Sequence, residues 1–452
     1  MIYKLNKQHI KEYNSTRAVS KLKPLCRAPF SNLYFSRNGN IISCCFNREH
    51  ILGKYPGQTL SELWHGTPLR FFKKKVLKNS LLKGCDICIR EFENKNFHGV
   101  IARHFDFLAP KRRYPVMMEF ELDSTCNLEC IMCEGELSSS IRTNRDKLDK
   151  VPSPYGHEFA EYIKPYLRKA KLLRFGGGEP FLIPVYYDIW DIVVKENPKC
   201  GIYVQTNGTI MNDRIRKWLS GGQFELGVSL DTLNTERFEH IRKNAKLKNV
   251  LQNIDEFISL IPAKPGRPSL VISTTVMRDN WQDIPSLLEF ANRKNAQIVF
   301  NTVWTPLSCA IHNLKSSELI KILSFYEACS LPAGSPLEKH NALMFTALLK
   351  QIISWHENSV NTELIIKKLE ELSNEEIEQQ LFDKIIEAAK DKETTSKKLK
   401  EIFLSVREKN VYRNYLLAIS RYPAQETARA MEMHTAEELK CLLEKEISLQ
   451  SQ

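Results

Sequence analysis

The sequence lacks any long apolar run and any low-complexity tract. No window approaches roughly 18 consecutive apolar residues, so no membrane-spanning helix is expected. The opening residues, MIYKLNKQHIKEYN, contain no apolar core of a secretory signal. We also find no internal repeat. These absences exclude membrane and secreted classes, and we expect a cytoplasmic protein with no membrane partner.

The composition is that of a folded chain. Of 452 residues, 42% are hydrophobic and 10% aromatic, which is enough apolar material for about three domains at roughly 150 residues each. The net charge is +12, and residues 1–310 carry all of the excess, at +15. This charge permits acidic partners. A nucleic-acid partner is not expected, because no basic stripe interleaved with aromatic residues and no RNA-binding motif is present.

Twelve cysteines in a chain with no export signal are more plausible as metal ligands than as disulfides, because the cytosol keeps thiols reduced. Eight of them precede residue 134 and form two groups. The remaining four are scattered singly, at Cys200, Cys309, Cys329 and Cys441. Clustering predicts two sites, and scatter predicts ordinary packing.

Six apolar segments alternate with amphipathic helical stretches in the middle of the chain. They are residues 116–122, 171–175, 202–206, 224–230, 270–276 and 296–300. This alternation predicts a parallel α/β sheet or barrel. After about residue 310 helical periodicity takes over. We therefore expect a small cysteine-rich α+β module at 1–110, a barrel at 111–310 and an all-helical region at 311–452.

Three cysteines follow the first predicted barrel strand with C-x3-C-x2-C spacing: Cys126, Cys130 and Cys133. Loops at this end of barrel strands carry active sites. Iron–sulfur clusters are held by thiolates, and three ligands on a four-iron cluster leave one iron open for chemistry. The alternative is a structural zinc loop with a distant fourth ligand.

A glycine-rich turn, Gly176-Gly-Gly-Glu-Pro180, follows the second strand. With the cysteine triplet, it resembles the radical S-adenosylmethionine (SAM) superfamily, whose fold is a partial (β/α)6 TIM-like barrel. The resemblance covers about residues 115–305. It implies that the three cysteines hold a 4Fe-4S cluster, which reductively cleaves SAM to a 5′-deoxyadenosyl radical. That radical then takes a hydrogen atom from the substrate.

The same resemblance implies a set of SAM-binding residues. They are Met132, Gly177, Gly178, Glu179, Asn207, Ser229 and Asp231. Glycines allow close backbone approach, and a carboxylate pairs with the SAM ammonium. Asn207, Ser229 and Asp231 are also explained as turn and helix-cap residues. Met132 stands where the family often has an aromatic residue, and its thioether can make the same contact. Arg278 and Asn280 are weaker candidates for the SAM carboxylate.

The first cysteine group resembles a SPASM or twitch module, which carries an auxiliary 4Fe-4S cluster. The ligands implied by this resemblance are Cys26, Cys44, Cys85 and Cys88, with Cys45 competing with Cys44. Asn38-Gly39 lies between two β-rich runs of this region and predicts a hairpin there. Such modules usually follow the barrel, whereas this one precedes it. A four-cysteine zinc site is the alternative.

Substrate-contacting residues are harder to select. Glu119, Glu121 and Asp123 share one face of the first strand, and they are either catalytic or ion-paired structural residues. Cys309, near His312, is a further weak candidate that is more often inert.

The SPASM resemblance favours a peptide or protein substrate that undergoes side-chain oxidation, crosslinking or epimerisation. Only about 25 residues precede Cys26 and no N-terminal leader-binding domain is evident, so we expect leader recognition by the helical region or by a separate leader-binding protein. An electron donor such as flavodoxin or ferredoxin is a further expected partner. The alternatives are a radical enzyme acting on a sugar, nucleoside or lipid precursor and, less favoured, a non-catalytic iron–sulfur scaffold.

Overall fold

The structure of the chain is a computed structural model. It describes residues 2–17, 24–93, 95–97, 99–107, 109, 113–262, 268, 270–389, 391–407, 411–422 and 424–450. The expected domain boundary between residues 110 and 111 lies outside these residues. By contacts the chain divides into two compact units. The first comprises 1–275, 286–301 and 335–341, and the second 276–285, 302–334 and 342–452.

The described residues contain short strands in the first three hundred positions and helices throughout. The strands are β1 (Ile2–Lys4), β2 (Asn32–Ser36), β3 (Asn40–Ile42), β4 (Gly53–Lys54), β5 (Ser80–Leu82), β6 (Met117–Glu121), β7 (Leu172–Phe175), β8 (Gly201–Thr206), β9 (Gln223–Ser229), β10 (Leu270–Val276) and β11 (Gln297–Thr302).

The α-helices are α1 (Lys7–Ser15), α2 (Ala28–Ser31), α3 (Leu60–His65), α4 (Thr67–Leu77), α5 (Asp86–Glu93), α6 (Glu158–Leu167), α7 (Pro184–Glu196), α8 (Asp213–Gly221), α9 (Thr235–Ile241), α10 (Leu247–Leu260), α11 (Ile284–Arg293), α12 (Ser316–Glu327), α13 (Pro336–Glu370), α14 (Asn374–Ala388), α15 (Lys392–Val406), α16 (Tyr412–Ser420), α17 (Ala424–Met433) and α18 (Ala436–Gln450). None of those in the described residues is long and apolar enough to cross a membrane.

One nine-stranded sheet organises the first unit, in the order β11-β10-β9-β8-β7-β6-β2-β3-β4. Strands β6 to β11 are the six strands expected from the sequence, and neighbouring strands from β6 to β10 pair in parallel. Helices connect them, so the α/β fold of partial TIM-barrel type is confirmed.

The cysteine-rich N-terminal region continues this sheet. Strand β2 pairs in parallel with β6, from Asn32 opposite Met117 to Ser36 opposite Glu121. The predicted hairpin joins β2 to the antiparallel β3, and Gly39 adopts φ +85° in the turn. A Cβ there would lie 2.9 Å from the Tyr55 carbonyl oxygen, so glycine is required. The sequence did not reveal that the two regions share a sheet.

The two faces of the sheet differ because side chains alternate along a strand. On β6, Phe120 stacks against Phe35 and Phe175, with ring centroids 5.3 and 5.0 Å away. Phe175 in turn packs edge-on against Trp190 of α7. This apolar face lies against the helices, so Glu119 and Glu121 point to the opposite, inner face of the sheet.

Within the second unit, α14 to α18 surround a core of their own. Its buried side chains include Ile377, Leu399, Phe403 and Leu416. Every regular element in the described residues after 311 is a helix, as the sequence predicted.

Candidate functional site

The loop that carries Cys126, Cys130 and Cys133 begins immediately beyond β6. Its backbone is fixed by the segment after α9, because the amide of Ile131 donates to the Ile241 carbonyl at 3.0 Å and that of Glu129 to the Lys243 carbonyl at 3.1 Å. The Glu129 side chain also pairs with Lys243 at 2.8 Å. The loop is therefore held at its middle as well as at its ends.

A buried arginine accompanies the three thiols. Arg242 follows α9, and its Nη1 lies 4.0 Å from Cys130 Sγ. Its Nε lies 2.7 Å from Asp231 Oδ2, and the other oxygen of Asp231 accepts from the Thr275 amide at 2.8 Å. Burial raises the pKa of Cys130 to about 12, although the Arg242 charge lowers it. A fixed positive charge thus stands beside the loop, where it stabilises thiolates and other anions.

The glycine turn is pressed against the same loop. The Gly178 amide donates to the Asp123 carbonyl at 3.0 Å, and the Glu179 amide donates to that of Thr125 at 2.7 Å. Gly177 has φ +103°, and a Cβ on Gly178 would lie 2.2 Å from the Thr125 carbonyl oxygen. Side chains at these two positions would displace the backbone that leads into Cys126.

Glu179 is fully buried. Its Oε1 accepts from the Phe181 amide and the Thr206 hydroxyl at 3.0 and 2.8 Å, and its Oε2 from the Asn207 amide at 2.7 Å. No lysine, arginine or histidine in the described part of the chain forms an ion pair with it. Burial raises its pKa to about 7, although these hydrogen bonds and the charge of Arg242 lower it. A buried carboxylate without a cation suits a cationic ligand group such as an ammonium.

The remaining strand-end residues join networks at the same edge of the sheet. Asn207 Nδ2 donates to Asn127 Oδ1 at 2.9 Å, and Asn127 Nδ2 donates to the Thr209 hydroxyl at the same distance. Ser229 Oγ accepts from Gln205 Nε2 at 3.1 Å. Met132 is half-buried in the cysteine loop.

The three carboxylates of the first barrel strand all have protein partners. Glu119 accepts from Asn32 Nδ2 at 2.6 Å, and Glu121 pairs with Arg37 and Arg48 at 3.2 and 2.9 Å. Asp123 Oδ1 accepts from the amide and the hydroxyl of Thr125, both at 2.7 Å. These contacts favour the structural interpretation of the three residues.

Arg174 presents a partly free guanidinium on the inner face. It lies 5.0 Å above the Tyr203 ring, and Glu119 Oε2 is 3.6 Å from its Nη1. No described residue forms a hydrogen bond with it, and 40% of its side chain is exposed. A planar fork of unused donors fits a carboxylate or phosphate.

The N-terminal cysteines surround a separate cavity in the first unit. It is lined by Cys26, Cys44, Cys85 and Cys88, and its other walls are mainly apolar, with Phe72 among them. Asn47 Nδ2 donates to Cys85 Sγ at 3.1 Å. Burial raises the pKa of Cys88 to about 12.

Cys45 does not line this cavity. Its thiol contacts that of Cys44 and lies near the charges of Glu119 and Arg174 on the inner face of the sheet. Cys44 begins a turn in which the Asn47 amide donates to its carbonyl at 3.0 Å, and of the two cysteines only Cys44 lines the cavity.

Both cysteine groups offer the thiol ligands that an iron–sulfur cluster needs. Among the described side chains, no three His, Cys, Asp or Glu converge to hold one metal ion. A zinc site requires four ligands to converge at about 2.3 Å or less from one ion. In a four-iron cluster each thiolate binds a different iron, so the cysteines surround the cluster instead.

The remaining candidates belong to the second unit; they are Arg278, Asn280, Cys309 and His312. The Arg278 amide donates to the Cys309 carbonyl at 3.0 Å, and Asn280 Oδ1 accepts from the Met277 amide at 2.7 Å. His312 packs against the Trp304 ring with centroids 4.8 Å apart. These contacts are structural within that unit.

Sequence reasoning did not select Arg242. A strand-end carboxylate such as Asp231 calls for a cation when it is buried, but Arg237 and Lys243 were equal candidates by spacing. Asn127, which joins the cysteine loop to Asn207, was also missed because its partner lies 80 residues away.

Two family models match the chain. The radical SAM superfamily model covers residues 122–291, and the SPASM iron–sulfur cluster-binding domain model covers residues 26–89. Together the two domains imply a SAM-binding 4Fe-4S cluster and an auxiliary 4Fe-4S cluster.

Among curated proteins, GTP 3′,8-cyclase 1 of Mycobacterium tuberculosis is 30% identical over 213 residues, which is 43% of this chain and 55% of that protein. The probable GTP 3′,8-cyclase of Methanocaldococcus jannaschii is 29% identical over 175 residues, 38% of this chain and 54% of the relative. The chain thus spans about half the length of these curated relatives.

Two solved structures also match about half of the chain. Native anSMEcpe with bound AdoMet has a TM-score of 0.36 and 21% identity, and the match covers 47% of this chain and 59% of that one. SuiB of Streptococcus suis bound to S-adenosylmethionine has a TM-score of 0.36 and 13% identity, with 53% and 52% covered.

Proposed function

The chain belongs to the radical SAM superfamily of enzymes and carries a SPASM-type module ahead of its radical SAM domain, and from this premise we propose that it modifies a peptide or protein by radical chemistry. The observation that carries the proposal is the hydrogen bond from the Glu179 amide to the Thr125 carbonyl. It joins the glycine turn and the cysteine loop into one site, although Glu179 and Thr125 are 54 residues apart in the sequence.

In this proposal Cys126, Cys130 and Cys133 hold the SAM-binding cluster. When bound, that cluster supplies the electron that splits SAM into methionine and a 5′-deoxyadenosyl radical. Arg242 stays charged beside Cys130, because Asp231 holds its guanidinium, and it offsets the negative charge that three thiolates bring into a buried loop.

The SAM molecule is held by polar groups at the strand ends. Glu179 takes the ammonium and so gains the cation that it lacks in the protein. Gly177 and Gly178 keep the turn free of side chains. Asn207, Ser229 and Asp231 complete the site, with Met132 at the adenine.

Cys26, Cys44, Cys85 and Cys88 hold the auxiliary cluster. None of the twelve cysteines forms a disulfide, so the four thiols are available as ligands. The apolar walls of the cavity exclude water from the cluster, and this tunes its potential.

An anionic group on the substrate would be bound by Arg174, whose donors face the inner side of the sheet. An acidic peptide side chain is one such group. A small phosphorylated molecule is the second candidate, because the curated relatives are named GTP 3′,8-cyclases and a guanidinium binds phosphate equally well. A leader-binding protein and a flavodoxin or ferredoxin remain the proposed partners.

The decisive experiment is 5′-deoxyadenosine formation after anaerobic reconstitution, with SAM and dithionite. Wild type is expected to form it, and a Cys126→Ala/Cys130→Ala/Cys133→Ala variant is not. If iron-loaded wild type forms none, with or without peptides and nucleotides added, the proposal fails. Acidic peptides and GTP are then compared as substrates, with Arg174→Gln as the variant expected to raise KM.

A further inference from the structure

Helix α4 has two contrasting faces. Leu69, Phe72 and Val76 are buried. Phe71, Lys74, Lys75 and Lys78 follow at i, i+3, i+4 and i+7, so they share the outward face. The helix therefore turns a basic face to solvent and an apolar face inward.

The buried face of α4 is a wall of the four-cysteine cavity, which Phe72 lines together with Cys26 and Cys44. The basic face is thus separated from the auxiliary cluster site by the thickness of a single helix, about 10 Å.

The cations on the outward face have no acidic partner. Arg70, Lys74, Lys75 and Lys78 form no ion pair with any described residue. By contrast, Lys83, just beyond β5, pairs with Glu49 at 3.2 Å. Unpaired surface charge of one sign attracts a partner of the opposite sign and steers its approach.

Two apolar side chains accompany these charges. Phe71 is 42% exposed and Leu77 58% exposed. The Lys75 ammonium lies 5.0 Å from the centre of the Phe71 ring, so the aromatic ring and the charge form one surface. Exposed apolar residues among charges are typical of a small docking site.

We propose that the α4 face, made by Arg70, Phe71, Lys74, Lys75, Leu77 and Lys78, docks an acidic ferredoxin-type carrier that reduces the auxiliary cluster. This inference rests on the proposed function for the identity of that cluster. One electron leaves the carrier's reduced iron–sulfur centre and enters the auxiliary cluster across α4, and no bond or proton changes place. The face is about 12 Å long from Arg70 to Lys78, which suits the small interfaces of redox partners.

The carrier is favoured over an acidic peptide substrate by position. A substrate must bring its reacting carbon to the site of Cys126 and Glu179, whereas a carrier needs only to approach a cluster. Helix α4 borders the cavity of the N-terminal cysteines and carries no residue of the SAM site.

The test is binding of an oxidised, strongly acidic bacterial ferredoxin to the reconstituted full chain, measured by calorimetry at low and high salt. Lys74→Glu/Lys75→Glu/Lys78→Glu is expected to weaken binding about tenfold or more. The matched control, Lys199→Glu/Lys217→Glu/Lys248→Glu, makes the same charge change at exposed lysines elsewhere in the first unit and is expected to bind as wild type does. Iron content and circular dichroism verify that both variants fold.

Equally weakened ferredoxin binding in both variants would mean that net charge alone determines binding, and it would overturn the proposal. Failure of wild type to bind ferredoxin would overturn it too. Loss of binding to a ten-residue polyglutamate peptide, with ferredoxin binding intact, would assign the face to an acidic peptide instead. Because dithionite bypasses the carrier, 5′-deoxyadenosine formed with dithionite must be unchanged in the α4 variant. If wild type forms no 5′-deoxyadenosine with dithionite, the proposed function is wrong. The docking proposal is judged separately, by ferredoxin binding alone.

Discussion

The two groups of cysteines in the first unit occupy contrasting surroundings. Cys26, Cys44, Cys85 and Cys88 line a mainly apolar cavity. The Cys126–Cys133 loop instead lies beside the guanidinium of Arg242, and its flanking backbone binds the turn that carries Glu179. The first environment provides four thiols in mainly apolar walls, with the buried Arg17–Asp106 pair near Cys26, and four thiols are what a closed electron-transfer cluster requires. The second provides three thiols and charged groups of both signs, as a site that binds a zwitterionic ligand requires.

Removing one thiol from the four-cysteine cavity tests whether that cavity holds a separate cluster. Cys44→Ala is expected to lose the auxiliary cluster, and with it about half of the iron in the chain. Cys45→Ala is the matched control, because Cys45 does not line the cavity and the variant should retain its iron. Iron and sulfide analysis of both reconstituted variants measures the difference. Retention in Cys44→Ala and loss in Cys45→Ala would exchange the two assignments.

A second prediction concerns the buried ion pair between Arg242 and Asp231 at the proposed SAM site. Arg242→Met leaves Asp231 buried without its cation, which should lower the free energy of unfolding by about 3–5 kcal/mol. The double variant Arg242→Met/Asp231→Leu should recover most of that loss. Denaturant unfolding of the metal-free proteins measures both. An equal free energy of unfolding for wild type and Arg242→Met would mean that the Arg242–Asp231 pair does not stabilise the fold.

The titration of Glu179 distinguishes the two sites further, because its pKa is raised to about 7 in the fold from an ordinary 4.5. Between these values the folded chain holds a proton that the unfolded chain has lost. Wild type should therefore lose stability relative to Glu179→Gln as the pH rises from 5 to 8, by about 3 kcal/mol at most. Thermal unfolding of the metal-free proteins at several pH values measures this difference. A pH-independent difference would show that Glu179 is already ionised at pH 5.

Much of this arrangement could be predicted from sequence because its signals are local. The triplet Cys126, Cys130 and Cys133, the turn at Gly176–Pro180 and the six strands β6 to β11 are each specified within a few residues. All of them belong to the α/β sheet that the alternation of strands and helices predicts.

What could not be predicted depends on pairing across the chain. The addition of β2 to the edge of β6 joins segments 85 residues apart, and nothing local in Asn32–Ser36 specifies a parallel partner. Cys44 lines the cavity and Cys45 does not, a difference in side-chain direction that the sequence does not specify. The partners of Glu119 and Glu121 lie on other strands and loops, so periodicity gave only their shared face.

A fourth prediction concerns Gly178, whose backbone lies close to the backbone of the cysteine loop at the proposed SAM site. A Cβ on Gly178 would meet the Thr125 carbonyl at 2.2 Å, whereas one on Gly176 has no atom nearer than 4.0 Å. Gly178→Ala should therefore cost about 1–3 kcal/mol, because the strain has to move the backbone entering Cys126. The cost should appear as weaker SAM binding by the reconstituted enzyme, measured by equilibrium dialysis, with iron content largely kept. Gly176→Ala introduces the same methyl group two residues earlier and should bind SAM as wild type does. Equal losses in the two variants would show that flexibility of the turn, and not its contact with the cysteine loop, explains the glycines.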